Sequence, residues 1–284
     1  MPRSPQSNTH QHRLRRTLLF TLAALAMKSW GEVPSQVQPD ARAIIQRSVQ
    51  ANETDWKAAP SYNYLERDLQ PDGGTKTYQV MMVDGSPYQE LVAVNGQPLS
   101  SDQQEDEKKK LEQITEQRRG ESQAARNGRI AKYEKERKRD HALMEELAKA
   151  FDFAVTGEQS LNGFDVYVLQ ATPRAGYQPP TMETQVLTGM KGKLWIDKKS
   201  YQWVKIEAQV IHPVHIIGFL ARVDPGTRFE LEKTPVGENV WLAKHFSMKS
   251  HAKILSVFAH NSSADETYWD YRKLRPSATT SSGR

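Results

Sequence analysis

The sequence predicts an α+β protein: a large antiparallel sheet preceded by one helix and interrupted by a long, highly charged helical insertion. Three observations carry this. Period-two alternation recurs through most of the chain and is clearest from Gly192 to His212, where Val204, Ile206, Ala208 and Val210 alternate with Lys205, Glu207 and Gln209. Turn signatures such as Pro71-Asp72-Gly73-Gly74, Asn95-Gly96 and Pro225-Gly226 separate the alternating runs. From Leu99 to Ala150 the pattern changes to dense Lys, Arg, Glu and Gln, with few β-branched residues and no proline.

The N-terminus has the form of an export leader. Arg13, Arg15 and Arg16 precede an uncharged run from Thr17 to Met27, too short for a stable membrane span, and Ala24-Leu25-Ala26 fits a cleavage site. A signal peptide over residues 1–26 is expected, with a second cleavage candidate at Ser29-Trp30-Gly31 and an uncleaved anchor as the alternative. There is no cysteine, which excludes a lipobox, a disulfide framework and thiolate chemistry. The formal charge is +5, but four of the arginines, Arg3 included, lie in the leader. The mature chain is close to neutral, and nucleic acid is not expected as a partner.

Element by element, Gln38 to Ala58 reads as a helix capped by Asp40, with Ile44, Ile45 and Val49 on its apolar stripe and Pro60 ending it. Strands follow at Tyr62–Leu69, Thr75–Asp84 and Tyr88–Val94. The charged stretch holds 13 Lys and Arg against 12 Asp and Glu between Ser101 and Ala150. That balance is unsuited to a phosphate-binding arm. It reads as two solvated helices broken near Asn127-Gly128, with thin apolar contacts from Leu111, Ile114, Leu143, Met144 and Leu147; without sustained heptads it is not a coiled coil. Strands resume at Phe151–Thr156 and Phe164–Thr172, around a turn at Asn162-Gly163. Arg174 to Gly189 is a long loop. After the Gly192–His212 hairpin, His212-Pro213 bends the chain. Further strands are expected at Thr227–Lys233, at Val240–Phe258 with a bulge near Ser250, and at Tyr268–Leu274, making roughly ten strands in all. Residues 275–284 read as a disordered tail.

No catalytic set emerges. The nucleophile-elbow, zincin, P-loop and dinucleotide signatures are absent. His212 and His215 are three residues apart, which on a strand places them on opposite faces unless Pro213 bends them together. His245 and His251 share a strand face but are ~20 Å apart. No metal, cofactor or catalytic residue is expected. What stands out is an excess of apolar sheet face over the helices available to cover it; the N-terminal helix and the Leu143–Phe151 helix are the alternative filling.

An exported chain with one starting helix, an antiparallel sheet and the hairpin Gly192-Lys193-Leu194-Trp195-Ile196-Asp197 … Val204-Lys205-Ile206-Glu207 resembles the LolA/LolB-like superfamily of outer-membrane lipoprotein-sorting carriers, which includes RseB-type periplasmic sensors. The resemblance covers Asp40 to Leu99 and Phe151 to Leu274. It implies a curved, unclosed half-barrel domain over residues 27–274, with residues 99–150 as an insertion larger than the usual lid. It also implies a non-enzymatic periplasmic protein that binds lipid or lipoprotein acyl chains and makes at most transient membrane contact. The candidate cavity residues are Leu194, Ile196, Val204, Ile206, Ala208, Val210, Phe229, Leu231, Phe246 and Met248, with Trp195 and Trp203 expected on the opposite face. The alternative is a structural or sensory module that holds an envelope protein partner through its charged helices.

Overall fold

The computed structural model describes residues 39–216, 221–254 and 258–274. The expected signal peptide over residues 1–26 and the expected tail over residues 275–284 lie outside the described residues. Helix α1 (Ala41–Ala58) starts as expected, with the Asp40 carboxylate accepting from the Arg42 amide at 2.9 Å. Its buried face reads Ile44, Ile45, Ser48, Asn52, Asp55, apolar at the start and polar at the end. Strands β1 (Tyr62–Leu69), β2 (Thr75–Val83), β3 (Ser86–Val94) and β4 (Gln97–Pro98) form a meander. Its turns at Asp84-Gly85 and Asn95-Gly96, like that at Asn162-Gly163, have positive φ at both central residues, the geometry that matches strand twist.

The charged stretch is two helices, α2 (Ser101–Arg119) and α3 (Gln123–Ala150). They part at Gly120–Ser122, not at Asn127-Gly128. The Ser122 hydroxyl accepts from the Ala125 amide at 3.2 Å, which starts the new helix ahead of Gly128 and leaves that glycine inside it. Helix α2 begins with a full capping box between Ser100 and Gln103.

Strands β5 (Phe151–Leu161) and β6 (Phe164–Pro173), a 3₁₀ turn over Glu183–Gly189, β7 (Met190–Asp197), β8 (Trp203–Val210), β9 (Val214–Ile216), β10 (Ala221–Val223), β11 (Arg228–Gly237), β12 (Val240–Ile254) and β13 (Phe258–Lys273) complete the chain. All thirteen belong to one antiparallel sheet, ordered β4-β3-β2-β1-β13-β12-β11-β8-β7-β6-β5, with β9 and β10 attached beside β12. The terminal strands β4 and β5 do not pair with each other, so the sheet is unclosed. The count exceeds ten because β9 and β10 are short and β4 has two residues. Strand β13 also begins ten residues before Tyr268, through the polar run His260–Ser263 that shows no apolar alternation. The register of β12 with β13 runs unbroken through Ser250↔Ser262. The irregularities lie instead between β11 and β12: β12 carries an extra residue at Lys244, and β11 one at Val236.

Two apolar clusters form, one on each side of the sheet. The larger contains Leu169, Leu194, Ile196, Trp203, Ile206 and Val210 beneath Ile44 and Ile45 of α1, Leu143, Met144 and Leu147 of α3, and Leu187 of the 3₁₀ turn. The smaller contains Val166, Val168, Trp195, Val204 and Trp241. Helix α3 crosses the sheet. Near its start Arg129 donates to the Asp84 carbonyl at 3.2 Å and to the Ser86 hydroxyl at 2.7 Å, and its end runs directly into β5. Its 28 residues span about 42 Å, close to the width of the strands between. No helix among the described residues is long and apolar enough to cross a membrane.

Candidate functional site: cavities between two helices and the sheet

The C-terminal half of α1 is locked onto the sheet by charge. Asp55 is 3 % exposed. Its carboxylate pairs with the Lys233 ammonium of β11 and accepts from the Gln202 amide nitrogen at 3.0 Å and the Trp241 backbone N–H at 2.8 Å. Lys233 also donates to Asn52 Oδ1 at 2.7 Å. Burial pushes the Asp55 carboxyl up and the Lys233 ammonium down, and their mutual attraction opposes both shifts. Every oxygen of the carboxylate is bonded, which is what allows a charge to stand there.

Beside this polar anchor, α1, α3 and the sheet leave two spaces. One cavity of about 310 Å³ is walled by Val49, Asn52, Glu53, His141, Met144 and Trp203. A second, of about 300 Å³, is walled by Asn52, Trp56, His141, Met144, Leu231, Trp241 and Leu242, with Lys233 and Asp55 at its edge. Asn52, His141 and Met144 belong to both, and the walls are mainly apolar. Helix α3 is held over them by stacking of His141 on Trp56, with ring centroids 4.4 Å apart, and by Arg137, which lies over the same indole and donates to the Trp56 carbonyl at 2.5 Å. His141 Nε2 lies 2.6 Å from the Glu53 carboxylate, whose other oxygen takes Lys57 at 3.0 Å. Lys57 holds the Glu53 carboxyl below the usual range.

The opposite side of the sheet carries a wider trough of about 1070 Å³. Antiparallel partners share a face, so the register defines its walls. One row is Thr172–Lys191–Gln209–Arg228–Lys249–Ser263 and the other Gln170–Lys193–Glu207–Glu230–Ser247–Asp265. Lys205 joins Glu207 and Glu230, at 2.9 Å each. The side chains of both rows are polar or charged, with Phe229, Ala208 and Met248 of the neighbouring rows bordering the trough.

The ten candidate cavity residues divide. Leu231 walls the second cavity. Leu194, Ile196, Ile206 and Val210 lie on the same face but are packed solidly under the helices. Phe246 pairs with Leu231 on that face, and Ala208, Phe229 and Met248 share one row of it, bordering the trough through the sheet. Val204 lies on the other face, against Trp195 and Trp241. Trp195 pairs with Lys205 and Ile196 with Trp203, so β8 bulges by one residue at Val204 and its alternation flips. The same bulge brings Trp203 onto the face of Ile206 and separates it from Trp195. The cavity walls from Asn52, Trp56, His141 and Met144 were missed by sequence reasoning, which sought the cavity on strands alone; the apolar residues Trp56 and Met144 were the available signal. His212 and His215 are both exposed, one in the bend after β8 and the other on β9.

No protein-family model matches the sequence, and no curated protein matches it. Solved structures similar to this chain include a putative outer membrane lipoprotein-sorting protein domain from Vibrio parahaemolyticus, 14% identical over 81% of this chain and 93% of that one, with a TM-score of 0.29. A LolA superfamily protein from Nitrosomonas europaea is 13% identical over 83% and 94%, with a TM-score of 0.30. A chain of the Pseudomonas aeruginosa MucA/MucB complex is 12% identical over 84% and 100%, with a TM-score of 0.26. These scores are too low to transfer a ligand or a residue role. The solved structures to which the chain is similar thus include members of the LolA/LolB-like superfamily that its sequence resembles.

Proposed function

We propose that this is an exported, non-enzymatic carrier that takes an acyl chain of a lipid or lipoprotein into the space between α1, α3 and the sheet. The observation that carries the reading is the pair of adjoining, mainly apolar cavities that share Asn52, His141 and Met144 in their walls. Each is at the lower end of the range of ligand cavities, roughly 300–1,000 Å³. Trp56 and Trp203 add broad aromatic faces to these walls. Helix α3 suits a lid. Its contact with the larger apolar cluster comes from its last two turns, through Leu143, Met144, Leu147, Ala148 and Ala150, while about half of its residues are exposed.

The test is native mass spectrometry of protein purified from its envelope without detergent, followed by reloading with a long-chain fatty acid. One ligand per chain is expected for the wild type, and Met144→Trp, which fills the shared wall, should lose it. A wild type that is never loaded, or a Met144→Trp variant loaded as well as the wild type, overturns the proposal.

A second reading, a module that holds an envelope protein, is favoured by α2, whose side chains are nearly all exposed although Arg118 ties it firmly to the Val83, Ser86 and Pro87 carbonyls of the β2–β3 turn. A rigidly mounted, exposed charged helix suits partner contact. Charge reversal at Lys108 and Lys109 should then abolish capture of the partner and leave acyl loading intact.

A further inference from the structure

We propose that Glu53 of α1 and His141 and Glu145 of α3 form a site for a divalent transition-metal ion of the Zn²⁺ class, bridging the two helices at the mouth of the first cavity. One ligand atom from each of the three lies within 4.8 Å of the others. His141 Nε2 is 2.6 Å from Glu53 Oε2 and 3.7 Å from Glu145 Oε1. Three points so spaced lie on a circle of radius at most about 2.4 Å, and an ion sits at the usual ~2.0–2.2 Å from all three once the His141–Glu53 pair opens by about 0.7 Å to tetrahedral spacing.

The surroundings match such a site. His141 and Glu145 are one helical turn apart and share a face of α3. The imidazole is fixed by its stack on Trp56. Lys57 holds Glu53 Oε1 at 3.0 Å, which orients the carboxylate with Oε2 toward the histidine, as an outer partner of a ligand does. Glu145 is 58% exposed, giving an ion an entry path, and the adjoining cavity of about 310 Å³ leaves room for a water as further ligand. One imidazole and two carboxylates select Zn²⁺, Co²⁺ or Mn²⁺ over Ca²⁺ and Mg²⁺, which take oxygen ligands. Because the ligands come from both α1 and α3, the ion clamps α3 down; on the carrier reading above, it is a latch on the lid.

The experiment uses the full-length mature protein, stripped with chelator and titrated with Zn²⁺ by calorimetry and with Co²⁺ by visible absorption. One ion per chain is expected, with d–d bands for Co²⁺. Glu145→Gln, at an exposed position that leaves the fold intact, should weaken binding about tenfold or more, and His141→Ala by about a hundredfold. Zn²⁺ should also slow amide exchange across α3 in the wild type and not in Glu145→Gln. Absence of stoichiometric binding, equal affinity in the wild type and both variants, or equal affinity for Ca²⁺ would overturn the site. The carrier reading is tested separately: a chain that binds Zn²⁺ here yet never takes up an acyl chain keeps the metal site and loses the carrier, and the converse result does the reverse.

Discussion

The Asp55–Lys233 pair shows how a single residue decides where α1 sits. Removing one partner strands a buried charge, so Asp55→Ala should cost about 3–5 kcal/mol in denaturant unfolding. Replacing both Asp55 and Lys233 with apolar residues should cost less than that single change. Glu66 poses the opposite case. It is 9% exposed on the helix-facing side of β1 beside Asp68 and Glu266, and burial followed by the Asp68 charge pushes its carboxyl from 4.5 up to about 8. A raised folded value means the folded state holds this proton more tightly. The stability that proton confers is complete below about pH 4.5 and is lost as the pH rises through 8. Glu66→Gln removes that titration, so its unfolding temperature should exceed that of the wild type at pH 9 by more than it does at pH 5. Neither residue was legible in the sequence, where both read as ordinary surface acids. The sheet partners of Asp55, and the Glu266 beside Glu66, are more than a hundred positions away, and only the fold brings them together. Val204 was misplaced for a related reason: alternation assigns faces faithfully until a bulge, and a bulge leaves no mark in a run of apolar residues.

At the scale of elements, most strands and α1 stand where alternation, caps and turn residues put them, because those signals are local. The break between α2 and α3 was misplaced because Asn127-Gly128 is a stronger turn signature by composition than Gly120–Ser122, yet the capping serine decided the matter. The extent of β13 was hidden because its first half is held by backbone pairing with β12 and carries no apolar alternation of its own. The loop over residues 174–189 is tied down by Arg174, Tyr177 and Leu187, and most tightly at its end. A Cβ on Gly189 would lie 2.3 Å from Val214 Cγ2 and 2.6 Å from the His212 carbonyl oxygen. Gly189→Ala should therefore destabilise the protein by ~1–3 kcal/mol, read from its denaturant midpoint. The close approach also gives His212 its place: its backbone N–H bonds the Gly189 carbonyl at 3.2 Å, as part of a bend.

For the whole molecule, the sequence showed an apolar sheet face short of cover, and the structure shows that cover in place: α1, α3 and the 3₁₀ turn fill most of it and leave two small adjoining cavities under α3. The alternative filling named from the sequence, the N-terminal helix with Leu143–Phe151, is what packs on the larger cluster; what the sequence could not show is that His141 and Met144 would leave cavities beside it. The expected tryptophan pair now separates into a reporter and a control. Trp203 walls the first cavity, whereas Trp195 packs on the other side of the sheet. Titration with a bromine-labelled long-chain fatty acid therefore tests the central claim directly. Saturable quenching is predicted in the wild type, reduced in Trp203→Phe, unchanged in Trp195→Phe and absent in Met144→Trp. No saturable quenching, or quenching that disappears with Trp195 and not with Trp203, would contradict it.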